Sequence, residues 1–79
     1  MKEINININT VDKVKEFIND VTKYDVDLDV ISPGRRYIVD AKSIMGIFSL
    51  DISRDLILRI HADGERAEEI ADGLRKYHA

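Results

Sequence analysis

Apolar and polar residues alternate at two different periods in the first third of the chain. In "KEINININ", residues 2–9, every second residue is isoleucine, which is the pattern of a strand with one buried face. From Thr10 the apolar spacing changes to that of a helix with one buried stripe, and Thr10 is expected to cap its first turn. The predicted stripe consists of Val11, Val14, Phe17, Ile18, Val21 and Tyr24.

The middle of the chain predicts a hairpin and then a short helix. "DVDLDV", residues 25–30, alternates aspartate with apolar residues and predicts a second strand with one solvated face. In "SPGRR", Pro33 and Gly34 suit the second and third positions of a type II turn, and "RYIVDA" returns as strand three. "SIMGIFSLD", residues 43–51, predicts two or three helical turns capped by Ser43.

The last third predicts one more strand and one more helix. "DLILRIHA", residues 55–62, alternates again, and residues 65–79 place apolar positions on one helical stripe, with Gly73 costing about 1 kcal/mol relative to alanine. The predicted order is β-α-β-β-α-β-α. We therefore predict one α+β domain over residues 1–79, with two layers: four strands and, on one face of their sheet, three helices, the other face being left to solvent.

Composition narrows the chemistry that this domain could perform. The 79 residues include no cysteine and only two histidines, and the net charge is -3. Thiolate chemistry and cysteine-based zinc sites are excluded, no metal or cofactor is expected, and nucleic acid is an unfavourable partner. Neither a secretory signal nor a membrane span is indicated, so we expect a soluble, cytoplasmic protein.

The order and length of the elements, with "AKSIMGIFSL" at residues 41–50 and "KYDVDLDV" at residues 23–30, resemble the HPr family. These proteins are the histidine-containing phosphocarriers of the bacterial sugar phosphotransferase system. The resemblance covers essentially the whole chain and implies an open-faced sandwich of a four-stranded antiparallel sheet and three helices. It places on Ser43 the family serine that an ATP-dependent kinase phosphorylates in many Gram-positive bacteria.

The chain departs from this family where the phosphocarrier histidine is expected. An ungapped count back from "KYDVDLDV" puts Thr10 at the histidine position and Asp12 at the position of the arginine two residues later. A threonine hydroxyl without an adjacent base is a poor nucleophile, and the Asp12 carboxylate would repel a phosphoryl group. No catalytic residue is therefore predicted. The chain is more similar to the catabolite-repression HPr-like proteins, which lack the histidine but keep the arginine.

The short helix is the predicted binding surface. With Ser43 as its cap, Ile47 and Leu50 should face the sheet. Three apolar side chains would then project outward, and Lys42 lies beside them. The predicted partner-binding residues are Lys42, Ile44, Met45 and Phe48. In the alternative interpretation, a thin core buries these side chains and little is exposed.

Three functions remain open on this basis. The first is a non-enzymatic regulator that docks a protein partner through the short helix, with Ser43 as a phosphorylation switch; the partner would be a kinase, a transcription regulator or a phosphotransferase component. The second is a phosphocarrier with an unusual acceptor such as His61, although a solvated surface histidine is the simpler interpretation. The third is a degenerate paralogue acting as a scaffold, in which Ser43 only caps its helix.

Overall fold

A computed structural model describes all 79 residues. The strands are β1 (Lys2–Ile6), β2 (Leu28–Ile31), β3 (Ile38–Asp40) and β4 (Leu56–Ile60). The helices are α1 (Val11–Val21), α2 (Ile44–Phe48) and α3 (Gly64–Gly73), and a 3₁₀ helix at Arg75–Tyr77 follows α3. The predicted element order is confirmed. None of the helices combines the length and the apolar composition that crossing a membrane requires.

The four strands form one antiparallel sheet in the order β1-β4-β2-β3. β2 and β3 are joined by the predicted turn, in which Gly34 has φ 79° and ψ 0° and the Arg35 N–H donates to the Ser32 carbonyl at 2.9 Å. These angles are those of the third position of a type II turn, where glycine is favoured because φ is positive. The hairpin prediction is therefore confirmed.

The three helices cover one face of the sheet and share a single hydrophobic core. On β4 the predicted alternation holds, because Leu56, Leu58 and Ile60 are fully buried. α1 contributes three buried side chains and α3 another three, at helical spacing. These six residues are Val14, Phe17, Val21, Ala67, Ile70 and Ala71. The α+β two-layer class is confirmed.

All three predicted helices are longer than the observed ones, and α2 comprises only the five residues Ile44–Phe48 instead of two or three turns. α1 ends at Val21 rather than at Tyr24, since the N–H groups of Lys23 and Tyr24 bond to carbonyls three residues back and tighten the last turn. Val11 was expected in the buried stripe but is 52% exposed, because it is the first residue of the helix and lies at the rim of the core.

The predicted continuous helix over residues 65–79 is wrong after Gly73. The chain instead forms the 3₁₀ helix and then pairs with the outer edge of β1. Asn7 N–H donates to the Tyr77 carbonyl at 2.8 Å, and Ala79 N–H donates to the Asn5 carbonyl at 3.0 Å. The C-terminal backbone therefore satisfies groups of an edge strand that would otherwise stay unpaired.

The second face of the sheet is not left entirely to solvent. Ile31 lies on that face, outside the main core, and is nevertheless fully buried. Arg35 donates two hydrogen bonds to Glu3 at 2.5 and 3.0 Å, and Arg59 donates a third at 3.0 Å. Because β4 lies between β1 and the hairpin, this cluster spans the open face. The hydrogen bonds from Arg35, and to a smaller extent the one from Arg59, lower the pKa of Glu3 from 4.5 to about 2.

Candidate functional site

α2 is held in place by a cap at its first turn and by close packing against β3. The Gly46 N–H donates to the Ser43 hydroxyl oxygen at 3.1 Å, so Ser43 caps the helix as predicted. A Cβ added to Gly46 would lie 3.1 Å from the Val39 Cβ and 3.2 Å from the Ser43 Oγ. Glycine therefore allows the helix to approach β3 closely, a role that the sequence did not reveal.

α2 has one buried side and one exposed side. Ile47 is fully buried and Leu50 is 8% exposed, so both anchor the helix to the core. On the other side, the exposed fractions are 42% for Ile44, 82% for Met45 and 41% for Phe48. We call these three residues the α2 patch. Their predicted exposure is confirmed, and the alternative in which the core buries them is wrong; their role in binding stays a prediction.

Lys42 has a structural contact that the sequence did not indicate. Its ammonium donates to the carbonyls of Tyr24 at 2.7 Å and Val26 at 3.1 Å, while its backbone N–H donates to the Asp40 carboxylate at 2.9 Å. The side chain thus ties the segment before α2 to the segment that follows α1. Its predicted contact with a partner would have to be made by a half-buried side chain whose ammonium already has two acceptors.

Ser43 is positioned by backbone bonds on both sides. Its N–H donates to the Asp40 carbonyl at 3.0 Å, and its carbonyl accepts from the Ile47 N–H at 3.0 Å. A phosphate on its hydroxyl would supply three acceptor oxygens for the amide groups at the start of α2. The predicted modification is therefore compatible with the cap, and phosphorylation of Ser43 stays a prediction.

Thr10 and Asp12 lie at the start of α1, which packs against α2. The Thr10 hydroxyl oxygen accepts from the Lys13 N–H at 3.1 Å, as expected of an N-cap. No carboxylate or imidazole hydrogen-bonds to this hydroxyl. Asp12 is exposed in the first helical turn, where its negative charge interacts favourably with the helix dipole. Nothing in these contacts would activate Thr10 as a nucleophile.

His61 lies just after β4 in acidic surroundings. Its Nε2 is 2.6 Å from an Asp29 carboxylate oxygen, and it lines a cavity of about 290 Å³ with Asp27, Asp29 and Asp40. Three carboxylates would repel an incoming phosphoryl group. These contacts disfavour His61 as a replacement phosphate acceptor and give its imidazole a structural partner instead.

The chain matches a known protein family and is similar to solved structures. The family model described as "PTS HPr component phosphorylation site" matches residues 11–79. The match begins one residue after Thr10, so the equivalence of Thr10 with the family histidine stays a prediction. No curated protein matches the chain in sequence.

Among solved structures, the crystal structure of HPr-C-His from Thermoanaerobacter tengcongensis is similar over 96% of this chain and 89% of that chain. The two have 30% sequence identity, and the TM-score is 0.76. The match thus extends over both the fold and the sequence. The chain belongs to the HPr family of the phosphotransferase system.

Proposed function

We propose that this chain is a non-enzymatic regulatory HPr-like protein that binds protein partners through the α2 patch and is switched by phosphorylation of Ser43. In this proposal residues 1–79 act as one domain in the cytoplasm, and the partner is a kinase, a transcription regulator or a phosphotransferase component. The proposal places Thr10 and Asp12 at the histidine and arginine positions, so that the phosphocarrier step is absent.

The observation that carries the proposal is the exposure of the α2 patch. Met45 is 82% exposed on a helix of only five residues, although solvent gives an apolar side chain no stabilisation there. The buried neighbours Ile47 and Leu50 already anchor the helix, so its stability does not require the patch. Contiguous exposed apolar side chains commonly mark protein interfaces, and methionine adapts its shape to different partners.

The docking proposal is tested with purified proteins of the three predicted kinds: a Gram-positive HPr kinase, a catabolite control transcription regulator and the upstream phosphotransferase enzyme. Binding of the wild-type chain to each is measured by titration calorimetry. For any that binds, Met45→Ala and Phe48→Ala should each weaken the affinity at least about tenfold, the effect of removing a residue at the centre of an interface.

Ile38→Ala is the matched control for docking. Ile38 is also apolar and 54% exposed, but it lies on the open face of the sheet, opposite α2. Its replacement should leave the affinity unchanged. Binding that survives the two patch substitutions, or that Ile38→Ala weakens equally, would contradict the assignment of the interface to α2.

The switch proposal is tested by intact-mass analysis of wild type and Ser43→Ala. Each protein is incubated with ATP and a Gram-positive HPr kinase, and separately with phosphoenolpyruvate and the upstream phosphotransferase enzyme. We expect one phosphate on wild type from ATP, none on Ser43→Ala, and none on either protein from phosphoenolpyruvate. A phosphoenolpyruvate-dependent label would show that a carrier step persists, and equal labelling of both proteins by ATP would exclude Ser43.

A further inference from the structure

Two of the six arginines differ from the other four in having no carboxylate partner. Arg35, Arg59, Arg66 and Arg75 each form a salt bridge with a carboxylate. Arg36 and Arg54 form none, and their guanidinium groups make no hydrogen bond within the chain. They are 18 positions apart in sequence, yet the fold brings them to the rim of one cavity.

This cavity, of about 370 Å³, lies between the β2–β3 turn and the segment that follows α2. The turn separates the roles of two consecutive arginines. Arg35 has φ 59° and contacts Glu3 on the open face, whereas Arg36 lines the cavity. Ser49 and Leu50, directly after α2, provide part of the opposite wall.

Ser32 adds a buried hydroxyl to the same cavity. It is 8% exposed and is the only polar residue among the 20 buried ones. Its oxygen accepts from the Tyr37 N–H at 3.0 Å, and its own O–H has no acceptor within the chain. A buried hydroxyl ordinarily uses its donor as well as its acceptor, so a ligand atom that accepts a hydrogen bond would complete this group.

We infer that this cavity binds a small phosphate monoester, held by the Arg36 and Arg54 guanidinium groups and by the Ser32 hydroxyl. Guanidinium groups bind phosphate bidentately. A monoester carries about -1.5 to -2 charges at pH 7, so it balances the charge of two arginines more fully than a ligand with a single carboxylate would. The volume lies in the range of small-molecule sites, about 300–1,000 Å³.

Asp51 is the one carboxylate that lines the cavity. Its oxygen accepts from the Ser53 hydroxyl at 2.6 Å and from the Ser53 N–H at 3.1 Å. These bonds hold the carboxylate toward Ser53. Arg54 therefore keeps its donors for a ligand, since no salt bridge joins it to Asp51.

The test is an NMR titration of the ¹⁵N-labelled chain, at fixed ionic strength, with glucose 6-phosphate, O-phosphoserine, inorganic phosphate, acetate and glucose. Phosphate esters should produce saturable shifts of amides in residues 32–37 and 49–54. Tighter binding of glucose 6-phosphate would assign a sugar metabolite, and tighter binding of O-phosphoserine a phosphorylated side chain; either order supports the proposal. Acetate or glucose binding as tightly as the phosphate esters would overturn it.

Arg36→Gln and Arg54→Gln should each weaken phosphate-ester binding about tenfold, since each removes charged hydrogen bonds to the ligand. Both side chains are exposed and unpaired, so the fold should persist, as the unaffected amide spectrum outside the cavity would show. Arg75→Gln is the matched control, because it removes the same charge outside the cavity. The proposal is wrong if no saturable shift occurs up to about 10 mM ester, ten times a millimolar Kd, or if Arg75→Gln weakens binding equally.

Discussion

The end of α3 provides a test of the packing, because the sign of the stability change caused by one substitution there should depend on whether a second has been made. Gly73 is the last residue of α3 and faces the Tyr24 ring. A Cβ on residue 73 would lie far inside van der Waals contact of the Tyr24 hydroxyl oxygen but at an ordinary 3.5 Å from the ring carbon that bears it. The hydroxyl alone therefore excludes alanine.

The structure gives the size of the effect. In a helix, glycine to alanine gains up to about 1 kcal/mol. Overpacking costs about 1–3 kcal/mol, and here the ring has little freedom because it packs against the core and lies under Arg66, whose Cζ is 5.9 Å from the ring centroid. We expect Gly73→Ala to destabilise the wild type by about 1 kcal/mol. In a Tyr24→Phe background it should stabilise by about 0.5–1 kcal/mol, giving a coupling of about 2 kcal/mol.

The assay is urea denaturation of the four proteins of this double-mutant cycle, with thermal unfolding as a second measure. A change of 1 kcal/mol corresponds to about 4–8 °C in Tm for a domain of this size. Tyr24→Phe itself should be nearly neutral, since the hydroxyl makes no hydrogen bond within the chain. Equal effects of Gly73→Ala in both backgrounds, of either sign, would refute the argument, because the hydroxyl would then not be what excludes alanine.

Three further predictions concern α2 and the open face. Ile47→Ala should lower the free energy of unfolding by about 2–5 kcal/mol, whereas Met45→Ala should change it by less than about 0.5 kcal/mol. Urea denaturation measures both losses, and similar values for the two variants would show that the buried side of α2 is wrongly assigned. Ser43→Ala should cost about 1 kcal/mol by the same measurement, because the Gly46 N–H loses its acceptor; an unchanged stability would mean that the cap contributes nothing. The pKa of Glu3 is lowered from 4.5 to about 2, so its stabilisation is present above pH 4.5 and is lost as the pH falls toward 2. The Glu3→Gln variant should therefore lose less stability than the wild type between pH 4.5 and 2. Acid titrations followed by circular dichroism would measure this difference, and parallel curves for the two proteins would contradict a stabilising role of the Glu3 carboxylate.

The periodicity of apolar residues was sufficient to predict the element order and most of the core. Burial dominates where one face of a strand or helix is apolar, so alternation in residues 55–62 identified the buried positions of β4 correctly. The type II turn was also predictable, because Pro33 and Gly34 are favoured at its two central positions for local reasons. The exposure of the α2 patch followed from the same geometry, since so short a helix packed against the sheet can bury only one side.

The features that sequence reasoning missed all depend on contacts between distant segments. Glycine at position 73 leaves room for the Tyr24 hydroxyl from the segment that follows α1, and the pairing of residues 77–79 with β1 reflects an edge that only the folded sheet creates. Glu3 and Arg35 are 32 positions apart in sequence and meet because only β4 lies between β1 and the β2–β3 hairpin in the sheet. No local pattern carries that information.

Ser43 is the position at which the stability of α2 and its proposed regulation coincide. Burial of Ile47 and Leu50 holds the helix to the core without help from the α2 patch, so substitutions in the patch can change affinity while leaving the fold intact. Ser43 lacks that independence, because the oxygen that would carry phosphate is also the one that accepts from the Gly46 N–H. Phosphorylation of Ser43 would therefore place its charge at the first turn of the helix that presents the patch, and a change in binding after phosphorylation needs no movement elsewhere in the fold.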